Sequence, residues 1–143
     1  MSDPDLSTLS VRPTIADDCA RLETFIAPFV EQGRILPRTT EELQGLMQHG
    51  YLAEVDGEIV GFAALEVYSA KMGEIRSLSV AEPFRGKGVG RALVEACLGR
   101  ARERNVFEVM VITSEDGFFQ RCGFDYTLPG EKRALFYQTR EKP

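Results

Sequence analysis

The run EPFRGKGVGRALVEAC, residues 82–97, constrains the fold more than any other stretch of the chain. Before it stands GEIRSLSV, rich in β-formers and closed by Pro83. After the glycines comes a helical pattern from about Gly88 to Glu103, and then the apolar run VFEVMVIT. Strand, helix and strand in that order form a βαβ unit, whose crossover is right-handed and whose two strands are parallel. The continuous apolarity of the second run predicts a central, buried strand.

The remaining segments extend this unit. LSVRPTI predicts an opening strand stopped by Pro13, and Leu22, Phe25, Ile26, Phe29 and Val30 recur at helical spacing. After the loop EQGRILPR, Thr39 and Glu42 have the spacing of a capping box, which starts a shorter helix carrying Leu43, Leu46 and Met47. YLAEVDGEIVGFAALEVY reads as a hairpin around Asp56-Gly57, a dipeptide that tolerates the positive φ angles of a type I′ turn. A last short helix near DGFFQRCG and a closing hairpin, FDYTLPGEKRALFYQTR, complete the pattern. The expectation is a mixed α/β fold: a central sheet of six to seven strands with about four helices on both faces, forming one domain over residues 1–143.

At 143 residues and 43% hydrophobic content, the chain suffices for one core and not for two. Its net charge of −5 argues against general binding of nucleic acid or a membrane surface, so the cations Arg85, Lys87 and Arg91 form a local feature on an acidic background. Three cysteines, Cys19, Cys97 and Cys122, lack CxxC spacing and read as small buried hydrophobes of a reduced chain. The start, MSDPDLSTLS, has neither the charged nor the apolar region of a secretory signal, and no stretch of 18 apolar residues occurs. A cytoplasmic location is the expectation. One histidine, His49, offers no zinc-ligand cluster, and no metal is expected.

Cations and glycines at the start of a helix call for an anion. Helix N-termini leave backbone N–H groups unpaired, and Gly86, Gly88 and Gly90 let a ligand approach them. The dinucleotide fingerprint GxGxxG fails, because the third position after Gly88 is Arg91. The nucleotide loop GxxxxGK[ST] does not occur. In the strand before the loop, Ile75 is out of phase with Leu78 and Val80, a separation of three that a one-residue β-bulge would repair. An amide freed by such a bulge could stabilise a developing oxyanion, whereas a regular strand would put Ile75 on the opposite face.

Arg85 to Gly90 reads R-x-x-G-x-G directly after a strand end of the form LSV-x-x-P. In this the chain resembles the GNAT superfamily of acyl-CoA-dependent N-acyltransferases, over nearly its whole length. The resemblance implies acetyl-CoA as cosubstrate. Its pyrophosphate would lie on Arg85, Gly86, Lys87, Gly88, Val89, Gly90 and Arg91, with the pantetheine pairing like a strand with Leu78, Ser79 and Val80. It also implies a carboxylate base at Glu74, needed because the attacking amine must lose a proton. Many members protonate the leaving thiolate with a tyrosine where this chain has Phe119, so Thr113, Ser114, water or the substrate ammonium are the alternative donors.

EQGRILPRTTEEL, GEIRSLSV and GFFQRCGF together are similar to the acetyltransferase domain of N-acetylglutamate synthase, whose pattern G-x-L-x-x-R-[ST] is met by Gly33, Ile35, Arg38 and Thr39. That likeness implies glutamate as acceptor, with Arg38, Arg76 and Arg133 holding its carboxylates, a task that suits a planar guanidinium. The alternatives are surface ion pairs for these arginines, a different amine or protein N-terminus as acceptor, or a non-catalytic acyl-CoA sensor. A homodimer stays open.

Overall fold

The computed structural model describes residues 3–126 together with 135, 137 and 139. Two compact units divide the chain, Met1–Ile112 and Thr113–Pro143. The first carries a sheet of five strands in sequential order: β1 (Ser10–Pro13), β2 (Gly50–Val55), β3 (Glu58–Val67), β4 (Met72–Val80) and β5 (Glu108–Met110). The first four pair antiparallel, and β5 runs parallel to β4 as a βαβ crossover requires. With α1 (Cys19–Glu31), α2 (Thr40–Met47), α3 (Val89–Glu103) and, in the second unit, α4 (Asp116–Arg121), this is a mixed α/β fold.

The local chemistry explains the elements. Thr39 caps α2 reciprocally: its hydroxyl accepts from the Glu42 amide at 3.1 Å, and Glu42 accepts from the Thr39 amide at 2.8 Å. Asp56 and Gly57 both take positive φ, 51° and 79°, and so close the β2–β3 hairpin tightly. Helices cover both faces of the sheet. On one, Leu22 and Ile26 of α1 and Leu43, Leu46 and Met47 of α2 pack with Leu52, Phe62 and Ala64. On the other, α3 buries Val89, Leu93, Val94 and Cys97. There a Cβ at Gly61 would stand 2.8 Å from Leu93, so the glycine is what lets the helix approach β3.

Among the described residues the sheet has five strands, and the closing hairpin, which would supply the further strands of the expected six to seven, lies outside them. Among the described residues VFEVMVIT pairs over three positions, Glu108–Met110, with β4, and the expected central position depends on the closing hairpin outside them. The pairing of β5 with β4 ends at Glu74 among the described residues. Cys19 and Cys97 are buried as expected, and burial pushes the Cys97 thiol up to about 12. Cys122 is only half-buried, and all three are free of disulfides.

A charge cluster ties β1, β2 and the start of α1 together. Arg12 makes a bidentate contact with the buried Asp18 at 2.8 and 2.9 Å, and reaches Glu54 at 2.7 Å. Hydrogen bonds from Arg12 hold both carboxyls below their ordinary values, against burial that would raise them. The folded chain therefore binds fewer protons here than the unfolded chain. This contribution is complete above the ordinary carboxylate range near about 4, and is lost as pH falls through the lowered values. The urea midpoint should fall as pH drops from about 5 to about 3. Arg12→Met should flatten that fall while lowering the midpoint at neutral pH.

Candidate active site

The middle of β4 holds a bulge. Phe62 pairs with Ser79 and Ala64 with Arg76, so Ser77 and Leu78 together face Ala63. Ser77 adopts the left-handed φ of 58° that this needs. The extra residue restores phase: Ile75 lies opposite Leu65 and Val80 opposite Gly61, both on the face that α3 covers. The phase break at Ile75 was the sequence signal for this bulge, and the structure carries it.

β5 pairs with β4 at Met72, Gly73 and Glu74 only. From Ile75 to Val80, β4 has no strand neighbour on that side among the described residues, which leaves an open edge. The edge runs past Leu78, Ser79 and Val80 into the glycine loop. A short 3₁₀ turn (Glu82–Phe84) follows, and Arg85 folds back so that its Nε donates to the Val80 carbonyl at 3.2 Å. Gly86 and Gly88 take φ of 72° and 91°, and no atom stands within 4 Å of where a Cβ would project from either. Val89, Gly90 and Arg91 form the first turn of α3, and the Ala92 amide is bonded to the Gly88 carbonyl at 3.0 Å. The exposed Lys87 stands 3.1 Å from Asp3. The loop is thus a helix N-terminus with an uncovered approach and three nearby cations, chemistry that fits a phosphate.

Glu74 is buried, with 6% of its surface exposed, where the usual glutamate is solvated. Its Oε1 accepts from the Tyr68 phenol at 2.5 Å and lies 3.5 Å from Arg76 Nη1. That same Arg76 nitrogen reaches Glu66 Oε2 at 2.9 Å and the Tyr68 oxygen at 3.2 Å. Burial works against the Arg76 charge, but Tyr68, Glu74 and Glu66 outweigh it and raise its pKa. Arg38 borders a cleft of about 440 Å³, whose lining includes Glu42, Gln48, His49, Glu66 and Arg104. Its Nε is buried without a hydrogen-bond partner among the described residues. His49 Nδ1 accepts from Arg100 at 3.2 Å, and burial together with Arg100 and Arg104 lowers its pKa.

The structure therefore brings Glu74 and Arg76 together, and puts Arg38 and Glu66 on one cleft. Thr113 and Ser114 belong to the second unit, where Thr113 Oγ1 accepts from the Glu115 amide at 2.8 Å in an exposed turn. In that unit Phe119 stacks edge-on with Phe118 and Phe124. Arg133 lies outside the described residues. Sequence reading missed Tyr68 and Glu66. The available signal was hairpin register, which sets Glu66 opposite Glu74 and returns Tyr68 to the same face two residues later.

Comparison with known proteins agrees with this geometry. Residues 18–124 match the model of the acetyltransferase (GNAT) family. An uncharacterized N-acetyltransferase of Chlorobaculum tepidum is 35% identical over 114 residues, covering 80% of this chain and 74% of the relative. An amino-acid acetyltransferase of Pasteurella multocida is 32% identical over 136 residues, covering 90% of this chain and 31% of that protein. The chain thus spans about a third of that relative's length. Among solved structures, N-acetylglutamate synthase of Neisseria gonorrhoeae, complexed with coenzyme A and N-acetyl-glutamate, superposes with a TM-score of 0.72. There the identity is 28%, over 79% of this chain and 27% of that one. The fold and sequence define an acetyltransferase. The chain belongs to the GNAT family.

The left-handed backbone at Ser77 yields a stability test. A β-branched side chain is strained there and glycine is not, so Ser77→Val should cost about 1–2 kcal/mol. Ser77→Gly should stay within about 1 kcal/mol of the parent. Urea midpoints for the three proteins measure the difference.

Proposed function

We propose that the chain transfers the acetyl group of acetyl-CoA directly to the amino group of a small amino acid, glutamate first among the candidates. The observation that carries the reading is one strand: among the described residues β4 has an open edge that runs into the glycine loop, and the buried carboxylate of Glu74 lies on the same strand. In this reading the pyrophosphate rests on the amides and cations of residues 85–91. The pantetheine takes up the open edge at Leu78, Ser79 and Val80. Acetyl-CoA supplies the acyl thioester, and the chain's own groups orient the amine and take its proton. Glu74 is the base, and a bulge amide is available to the thioester carbonyl. The free thiols suit a reduced, cytoplasmic setting.

The likeness to the amino-acid acetyltransferases supports the acceptor class. Arg38, with a buried guanidinium nitrogen still unmatched, is the first residue to meet an acceptor carboxylate. Arg76 is the second, through the nitrogens that its internal contacts at Nη1 leave available.

Acetyl-CoA should raise the melting temperature, because a ligand that binds only the folded chain adds about 2.7 kcal/mol at 100 times its dissociation constant. Gly88→Asp, which sets a carboxylate in the loop, should abolish the shift. A wild-type melt unmoved by saturating acetyl-CoA would remove the cosubstrate from the reading.

Thiol release measured over a panel of amines tests the acceptor. Glutamate should exceed glutamine in kcat/KM by roughly 10- to 150-fold, the equivalent of about 1.5–3 kcal/mol for a hydrogen bond to a charged group. Arg38→Ala should narrow that preference and raise KM for glutamate, with acetyl-CoA binding intact. Equal turnover of glutamine or a polyamine would refute the carboxylate clamp and leave the acetyltransferase reading standing.

A further inference from the structure

Glu66 and Glu74 face each other across β3 and β4, and Tyr68 reaches over both. Its phenol oxygen is 2.5 Å from Glu74 Oε1 and 3.3 Å from Glu66 Oε2. A phenol has one proton to donate, and the shorter contact gives it to Glu74. Arg76 Nη1 donates to the phenol oxygen from the other side, at 3.2 Å, and fixes the ring's polar end in place. Both hydrogen bonds of the Glu74 carboxylate among the described residues fall on Oε1. Oε2 accepts none of them.

We propose that Tyr68 is a positioning residue for Glu74: it holds Oε1, so that Oε2 is the oxygen that takes the acceptor's proton. This rests on the reading of Glu74 as the base. In the step, an N–H bond of the acceptor ammonium breaks and the proton passes to Oε2. The electron pair stays on nitrogen for attack on the thioester carbonyl. The terminal torsion of a glutamate is broad, so an unheld carboxylate would sample orientations in which neither oxygen meets the amine. Holding one oxygen converts that sampling into a fixed approach, which is what orientation contributes to rate. Burial, and after it the bond to Glu74, push the Tyr68 phenol up to about 12, so it stays a donor throughout the neutral range. Half of the Tyr68 surface is exposed and Tyr68→Phe keeps the ring, so the substitution removes the hydroxyl's hydrogen bonds and opens no core cavity.

The test is a double-mutant cycle of Tyr68→Phe and Glu74→Gln. Turnover is read by thiol release with glutamate, or with whichever amine of the same panel the wild type prefers. Tyr68→Phe should lower kcat about tenfold or more. KM for acetyl-CoA should stay at its wild-type value, and the variant should still melt in one cooperative transition, lowered only by the lost hydrogen bond. In the Glu74→Gln background, where kcat is already down by about 10²-fold, adding Tyr68→Phe should change it by less than about twofold. Wild-type kcat in Tyr68→Phe, or the same loss in both backgrounds, overturns the positioning role while Glu74 remains the base. Wild-type kcat in Glu74→Gln removes the base itself, and the proposal with it.

Discussion

Most of the structure's functional geometry depends on two residues of β4 standing opposite one residue of β3. Ser77 and Leu78 share Ala63 as their neighbour, and the ladder resumes one residue out of step. Before the bulge, Glu74 and Arg76 lie on the face of Ala64 and Glu66, while Ile75 packs toward α3. After it, Val80 has joined Ile75's face and Ser79 has taken the opposite one beside Phe62. Both halves of the strand are thus correctly phased for two differently covered faces. A bulge also bends its strand and increases the local twist. β4 and β5 remain paired only over Met72, Gly73 and Glu74, and the rest of β4 is left open on that side among the described residues.

The second constraint is electrostatic. Like charges placed directly opposite on paired strands repel, and Glu66 and Glu74 are such a pair. Arg76, one turn of the pleat further along β4, reaches both carboxylates and the Tyr68 phenol from a single nitrogen. An apolar pair would be simpler to bury, since removing a carboxylate from water costs more than its ion pair commonly returns. The arrangement therefore supports the proposal of a site here over that of a stabilising device. The Arg12 cluster on β1 and β2 makes the contrast: there the carboxylates are matched bidentately and from two sides, with an amide of Ile15 as a further donor. Matching of that kind stabilises a fold and leaves no oxygen free for chemistry.

Local signals were legible and long-range ones were not. The capping box of Thr39 and Glu42, the turn at Asp56-Gly57, the helix after Gly88 and the bulge each depend on residues within a few positions of one another, so their pattern is present in the chain itself. The pairing of β5 depends instead on its neighbours in the sheet, which apolarity cannot report, and among the described residues three of the eight positions are paired. Tyr68 escaped notice for a related reason. Nothing about an isolated tyrosine near a hairpin end marks it; its contacts with Glu66 and Glu74 appear only once those two are in register. Arg38 and Arg76 were legible as candidates through family likeness, whereas their difference in surroundings, an unmatched buried nitrogen against a nitrogen shared by three oxygens, belongs to tertiary structure.

The distance between the two ends of β4 limits what ligand can use both. Strand residues advance about 3.3 Å each, so Glu74 and the loop after Val80 stand about 20 Å apart along the strand. A compact anion such as free phosphate would occupy the loop without approaching Glu74. A ligand that puts phosphates on the glycine loop and a reactive carbonyl near Glu74 must be extended, and able to pair with backbone along the way. Among the described residues the edge between Ile75 and Val80 is open, so it could offer that pairing. The cations at Arg85, Lys87 and Arg91 are then a local match to one end of such a ligand on a chain of net charge −5. Lys87 already meets a carboxylate, that of Asp3. An exposed contact of that kind is worth little, so it would not bar the phosphate end of the proposed ligand from the loop.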